Sequence, residues 1–103
     1  MTCYLAGKIA GNDNFKENFS EGMRQLQQQG FTVLSPVVLP EGMTIRAYMR
    51  ICFAMIDCAD VVAFLPNWAE SRGALLENSY CQYISKQTYY LPEGDAFHAI
   101  RTQ

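Results

Sequence analysis

Residues 61–77 read VVAFLPNWAESRGALLE. Val61–Leu65 is an unbroken apolar run that stops at Pro66, which predicts a strand covered on both faces. A helix is predicted to start near Glu70 and to run to about Ser85, with an apolar stripe of Leu76, Tyr80, Tyr83 and Ile84. A buried strand that turns through a short loop into a helix is the repeating unit of a parallel sheet clad in helices.

The same unit recurs on both sides of this stretch. Thr2–Ala6 reads as a first strand ending at Gly7, followed by the loop GKIAGNDN. Asn14 offers an N-cap oxygen with Glu17 three residues on, the pattern of a capping box. Phe15, Phe19, Met23 and Leu26 then recur at helical spacing up to Gly30, predicting a helix over Phe15–Gln29. Phe31–Ser35 reads as a second strand, and Pro36–Met43, with two prolines and a glycine, as a loop. Thr44 is the expected cap of a helix whose apolar face is Ile45, Tyr48, Met49, Cys52, Met55 and Ile56. Thr88–Leu91 is the expected last strand, and the tail after Pro92 is expected to hold one short helical turn. The order βαβαβαβ predicts an α/β three-layer sandwich with a four-stranded parallel sheet, Rossmann- or flavodoxin-like. In such sheets ligands bind beyond the carboxyl ends of the strands, where the strand order reverses.

The totals bound what this fold can do. A chain of 103 residues suits one domain spanning 1–103, and 50% hydrophobic residues are enough for one core. A net charge of −2 and few clustered cations argue against a nucleic acid polymer as partner. Cys3, Cys52, Cys58 and Cys81 form no CxxC pair, and His98 is the single histidine, so neither a zinc site nor a cofactor is expected. Thr2–Ala6 is too short for a signal peptide, and no apolar run reaches membrane length. The expectation is a cytoplasmic protein with free thiols and no membrane partner.

Two stretches can carry chemistry. In Gly7–Lys8–Ile9–Ala10–Gly11 the glycines let backbone amides approach an anion, and Lys8 adds charge; the plainer reading is an ordinary strand-to-helix turn. In NWAESRGALLE, Ser71 lies in the expected first turn of the third helix, and Gly73 and Glu77 share a face four residues apart. A bare Gly73 leaves the approach to Glu77 open, and a desolvated carboxylate there can serve as nucleophile or base. The plainer reading is a solvated glutamate behind a capping serine. Tyr4 either reaches the same crevice or is simply core. Trp68 and Tyr48 either stack on a base or close the pocket, or simply pack. Arg46, Arg50 and Arg72 are expected at the surface, Asp60 is expected to end the second helix, and His98 has no expected role.

YLAGKIAG at residues 4–11, GFTVLSP at 30–36 and DCADVVAFLPNWAESRGALLE at 57–77 together resemble the nucleoside 2-deoxyribosyltransferase-like superfamily. The nearest resemblance is to its small, often phage-encoded members of unknown function, and beyond them to the 2′-deoxynucleoside 5′-phosphate N-hydrolases. It covers about residues 3–91. The resemblance implies that Glu77 is the nucleophile at C1′ of a deoxyribose and that Tyr4 helps hold that glutamate and the sugar. It implies that Gly7, Ile9 and Gly11 belong to a loop wrapping a nucleotide, that Ser71 contacts a 5′-phosphate, and that Gly73 lies below the sugar. It also implies a small-molecule nucleotide or nucleoside as ligand and a homodimer as the assembly. Two positions depart from the pattern: Cys52 stands where an aspartate assists the leaving base, and Lys8 where a small residue is common. Two functions follow, an N-glycosidase or deoxyribosyltransferase, and a nucleotide-binding or sequestering protein without catalysis. A pure interaction domain is a third.

Overall fold

The computed structural model describes residues 1–91. The expected tail turn and His98 lie outside them. Strands β1 (Thr2–Ala6), β2 (Thr32–Leu34), β3 (Val61–Phe64) and β4 (Gln87–Tyr90) alternate with helices α1 (Phe15–Gln28), α2 (Ile45–Cys58) and α3 (Arg72–Tyr83). The four strands form one all-parallel sheet in the order β2-β1-β3-β4. This is the α/β architecture expected from the sequence.

Residues on β1 and β3 alternate between two cores, as the two-residue period of a strand requires. Cys3, Leu5, Val61, Ala63 and Leu65 face α1, where Phe19 and Leu26 are fully buried. Tyr4, Ala6, Val62 and Phe64 face α2 and α3, meeting Cys52, Ile56 and Cys81. Complete burial of a side chain such as Phe19 or Leu26 contributes about 1.5–3 kcal/mol. The chain moves outward one way from β1 to β2 and the other way from β1 to β3, so the order reverses between the carboxyl ends of β1 and β3. The loops beginning at Gly7 and Pro66 therefore flank the crevice.

Several local expectations are corrected. The Asn14 side chain makes no capping bond; Asn12 Oδ1 instead accepts from the Asn14 amide at 3.1 Å. Asn12 Nδ2 also donates to the Lys8 carbonyl and to Asn18, so the turn is organised two residues earlier than the capping-box pattern suggests. Thr44 caps α2 as expected, accepting from Ala47 at 3.2 Å. Ile45, expected in the apolar face of α2, is 82% exposed: it is the first residue of the helix, whose buried positions, Cys52 and Ile56, lie further along. Helix α3 begins at Arg72; a short 3-10 turn over Trp68–Glu70 occupies the place of the expected first residues. A second 3-10 turn, Pro36–Val38, lies in the expected loop.

The largest correction concerns the face of α3. Leu76 is 57% exposed and Tyr83 90%, whereas Ala74, Glu77 and Cys81 are buried. The buried set keeps helical spacing but contains small residues and one acid. The reason lies across the interface: β1 offers the hydroxyl of a fully buried Tyr4, which a carboxylate satisfies and a leucine does not.

Candidate active site

Glu77 and Tyr4 meet at the centre of the α2/α3-side core. The Tyr4 hydroxyl donates a short hydrogen bond to Glu77 Oε2. Glu77 is only 5% exposed and Tyr4 not at all. Burial pushes the Glu77 carboxyl up to about 7, and the Tyr4 hydrogen bond pulls the other way. Burial, with the charge of Glu77 second, holds the Tyr4 phenol well above its ordinary value, so it stays a donor. One carboxylate oxygen is thus anchored. The other accepts no hydrogen bond from the described residues.

Helix α2 closes the far side. Cys52 is fully buried in the core that also holds Tyr4 and Tyr48. Burial raises its thiol, and Glu77 adds to that against the opposing pull of the phenols. The Tyr48 phenol is raised by burial first, then by Cys52 and Glu77. Cys81, on α3 one turn past Glu77, is pushed up to about 11, chiefly by burial. The cluster is two phenols and two neutral thiols around one carboxyl group.

The predicted site residues fall into two groups. Ser71 is the N-cap of α3, not part of its first turn, and its Oγ accepts from the Ala74 amide at 3.1 Å. The amides of Arg72 and Gly73 make no hydrogen bond with the described residues and head the helix. A Cβ on Gly73 would lie 3.5 Å from Met49 Sδ, an ordinary contact. Among the described residues no contact therefore demands glycine there. Gly7 is different: a Cβ would come within 2.7 Å of Leu65 Cδ1, so the β1 loop and the end of β3 touch only because Gly7 is bare. The two loops are also joined by the Lys8 amide, which donates to Asn67 Oδ1 at 3.3 Å, and by an exposed Lys8–Glu70 ion pair at 3.4 Å. Such a pair contributes about 0–1 kcal/mol. Gly11 adopts φ +75° at the turn before α1.

Other candidates lie elsewhere. Ile9 packs half-buried against the α1-side core. Trp68 packs with Phe64 and Tyr90, its ring 5.3 Å from each. Asp60 accepts from the Thr2 amide at 2.8 Å and ties β1 to the start of β3. Asp57 is bonded to the Tyr80 hydroxyl at 2.6 Å. Met49 was not visible as a site neighbour in the sequence, since an apolar residue in a helix stripe carries no signal of facing a crevice. The four cysteines have free thiols. Among the described residues there is no group of three or more His, Cys, Asp or Glu able to hold a metal, and no helix long and apolar enough to cross a membrane.

A desolvated carboxyl group with one oxygen anchored and the other unbound is suited to attack an electrophilic carbon, or to hold a ligand hydroxyl. Comparison with known proteins gives this geometry a setting. No curated protein matches the chain. Among solved structures, the 2-deoxyribosyltransferase of the psychrotolerant bacterium Bacillus psychrosaccharolyticus is similar, with a TM-score of 0.70 and 19% identity over 87% of this chain and 71% of that one. At that identity the likeness is one of fold. A family model, described as a domain of unknown function, DUF4406, matches residues 1–90. By that match, which takes in every described strand and helix, the chain belongs to the DUF4406 domain family.

Proposed function

We propose that this protein is an N-glycosidase or deoxyribosyltransferase acting on a deoxynucleoside 5′-monophosphate, with Glu77 as nucleophile. The observation that carries the reading is the buried Tyr4–Glu77 hydrogen bond in the α2/α3-side core, with the second carboxylate oxygen left unbound by the described residues. Oε1 of Glu77 attacks C1′ and displaces the base, and water or a second base opens the resulting ester. Tyr4 holds Oε2 and fixes the direction of attack. The similar fold of a 2-deoxyribosyltransferase supports transfer or hydrolysis at this kind of bond.

The phosphate is assigned to the start of α3. Ser71 and the amides of Arg72 and Gly73 meet an anion at the positive end of a 12-residue helix. Lys8 and the backbone of Gly7, Ile9 and Gly11 cover the opposite side, and Trp68 borders the loop. On this reading the bare Gly73 lies below the sugar, and Met49 Sδ, 3.5 Å from where a Cβ would stand, borders the same space. The subunits pair as homodimers, and exposed Leu75, Leu76 and Tyr83 on α3 support a covered face. Light scattering in solution tests that pairing: a monomer at micromolar concentration overturns it.

The central test is chromatography of deoxynucleoside monophosphates incubated with the protein. Free base is expected, and Glu77→Ala is expected to abolish its release. Release that persists in that variant defeats the assignment. A second reading, nucleotide binding without cleavage, is favoured by the neutral Cys52 thiol facing the carboxyl group. It predicts nucleotides that raise the melting temperature by mass action yet stay intact.

A further inference from the structure

An N-glycosidic bond breaks with its electron pair on the base nitrogen, so a proton donor beside that nitrogen lowers the barrier. The donor has to face Glu77 and still be reachable from the crevice. Tyr4 is fully buried and its hydrogen is committed to Glu77. Cys52 is fully buried in the same core. Tyr48 differs: it stands one turn before Cys52 on the same face of α2, packs against the same core, and is only half-buried. Its neighbour Met49 approaches the space above Gly73 to within 3.5 Å, so this turn of α2 forms the wall opposite the start of α3.

We propose that Tyr48 is a catalytic residue that delivers a proton to the departing base, an inference that rests on the N-glycoside reading above. In the first step Glu77 Oε1 bonds to C1′, the C1′–N bond breaks with its electron pair on nitrogen, and the Tyr48 hydroxyl proton passes to that nitrogen. In the second, water oxygen bonds to C1′, the ester bond returns its electron pair to Glu77, and a water proton restores the Tyr48 hydroxyl. One water is consumed; free base and a sugar hydroxyl form. The electrostatics favour the timing. Burial, Cys52 and the Glu77 charge keep the proton on Tyr48 before reaction. Esterification removes the Glu77 charge and with it one of the forces opposing ionisation of Tyr48, at the moment the proton is needed.

The test compares the natural deoxynucleoside monophosphate that the wild type cleaves fastest with 4-nitrophenyl 2-deoxyribose 5-phosphate, whose nitrophenolate leaves without a proton. Tyr48→Phe keeps the ring and its packing. It is expected to lower kcat about 100-fold or more on the nucleotide with KM little changed, and to leave nitrophenolate release nearly intact. Equal losses on both substrates, a loss confined to KM, or an unchanged kcat overturns the proposal while Glu77-dependent cleavage still stands. If wild type turns over the nucleotide alone, the split between kcat and KM decides. Tyr48→Leu replaces Tyr48→Phe if the latter does not fold. Absence of base release from every deoxynucleoside monophosphate with wild type overturns the N-glycoside reading itself, and this role with it.

Discussion

Tyr4 and Glu77, 73 positions apart in the chain, share one hydrogen bond inside a core that is otherwise apolar or weakly polar. The bond joins the central strand β1 to α3 and fixes which face of α3 turns inward. Burial, against the downward pull of that hydrogen bond, sets the carboxyl group up to titrate near neutrality, in the range where a nucleophile or base is useful.

That titration makes stability depend on pH. A glutamate in the unfolded chain titrates at its ordinary 4.5, and Glu77 in the folded chain at about 7. Between those values the folded state binds a proton that the unfolded state has lost. Stability is therefore highest below pH 4.5 as far as this group is concerned, and it falls as pH rises through 7. The loss is about 3 kcal/mol. Urea unfolding at pH 5 and pH 8 is expected to show it, and Glu77→Gln to remove most of it. A wild-type midpoint that rises between those pH values counts against a Glu77 whose titration is raised by burial.

Replacing Tyr4 tests the bond from the other side. Tyr4→Phe keeps the ring but leaves the carboxylate without its donor, at a cost of about 1–3 kcal/mol near pH 8. Because the hydrogen bond lowers the Glu77 value, its loss is expected to raise the midpoint beyond about 7. Carbon-13 resonances of labelled glutamate carboxyl groups report this directly. An unmoved midpoint means that the phenol does not stabilise the carboxylate.

The crevice depends on close contact between Gly7 and Leu65. Gly7→Ala puts a methyl within 2.7 Å of Leu65 Cδ1 and forces that side chain aside. The expected destabilisation is about 1–3 kcal/mol. Combined with Leu65→Ala, the two changes are expected to cost less than their sum by more than about 0.5 kcal/mol. Strict additivity in denaturant melts would show that the two residues do not touch in solution.

Under the proposed mechanism Glu77 attacks in its ionised form. Base release is then expected to increase about tenfold per pH unit from pH 5 toward 7 and to level off above. The profile of kcat/KM checks this. A rate that falls as pH rises across that window assigns the carboxyl group an acid's role instead.

Much of the framework was readable because local signals agreed with one another. Gly7 and Pro66 end the apolar runs 2–6 and 61–65, and Phe15, Phe19, Met23 and Leu26 mark α1 by spacing alone. Ser71, Gly73 and Glu77 stood out by position. The inward face of α3 was not readable. Its leucines and tyrosines form the more apolar stripe, and a rule that turns the apolar side inward selects Leu76 and Tyr83. Asn14 misled for a related reason: a capping pattern describes what a side chain can do locally, and Asn12 reached the amide first.

The sequence by itself determined the order of strands and helices, because strand and helix periods, caps and breakers act over a few residues. It also singled out the stretch from Ser71 to Glu77. The resemblance implied that Tyr4 holds Glu77, but only the tertiary structure decided that the pair is buried through a direct hydrogen bond, and that Tyr48 and Cys52 share its core. Those facts depend on which elements become neighbours across the sheet, and a buried hydroxyl's need for an acceptor outweighs the apolar pattern of a single helix.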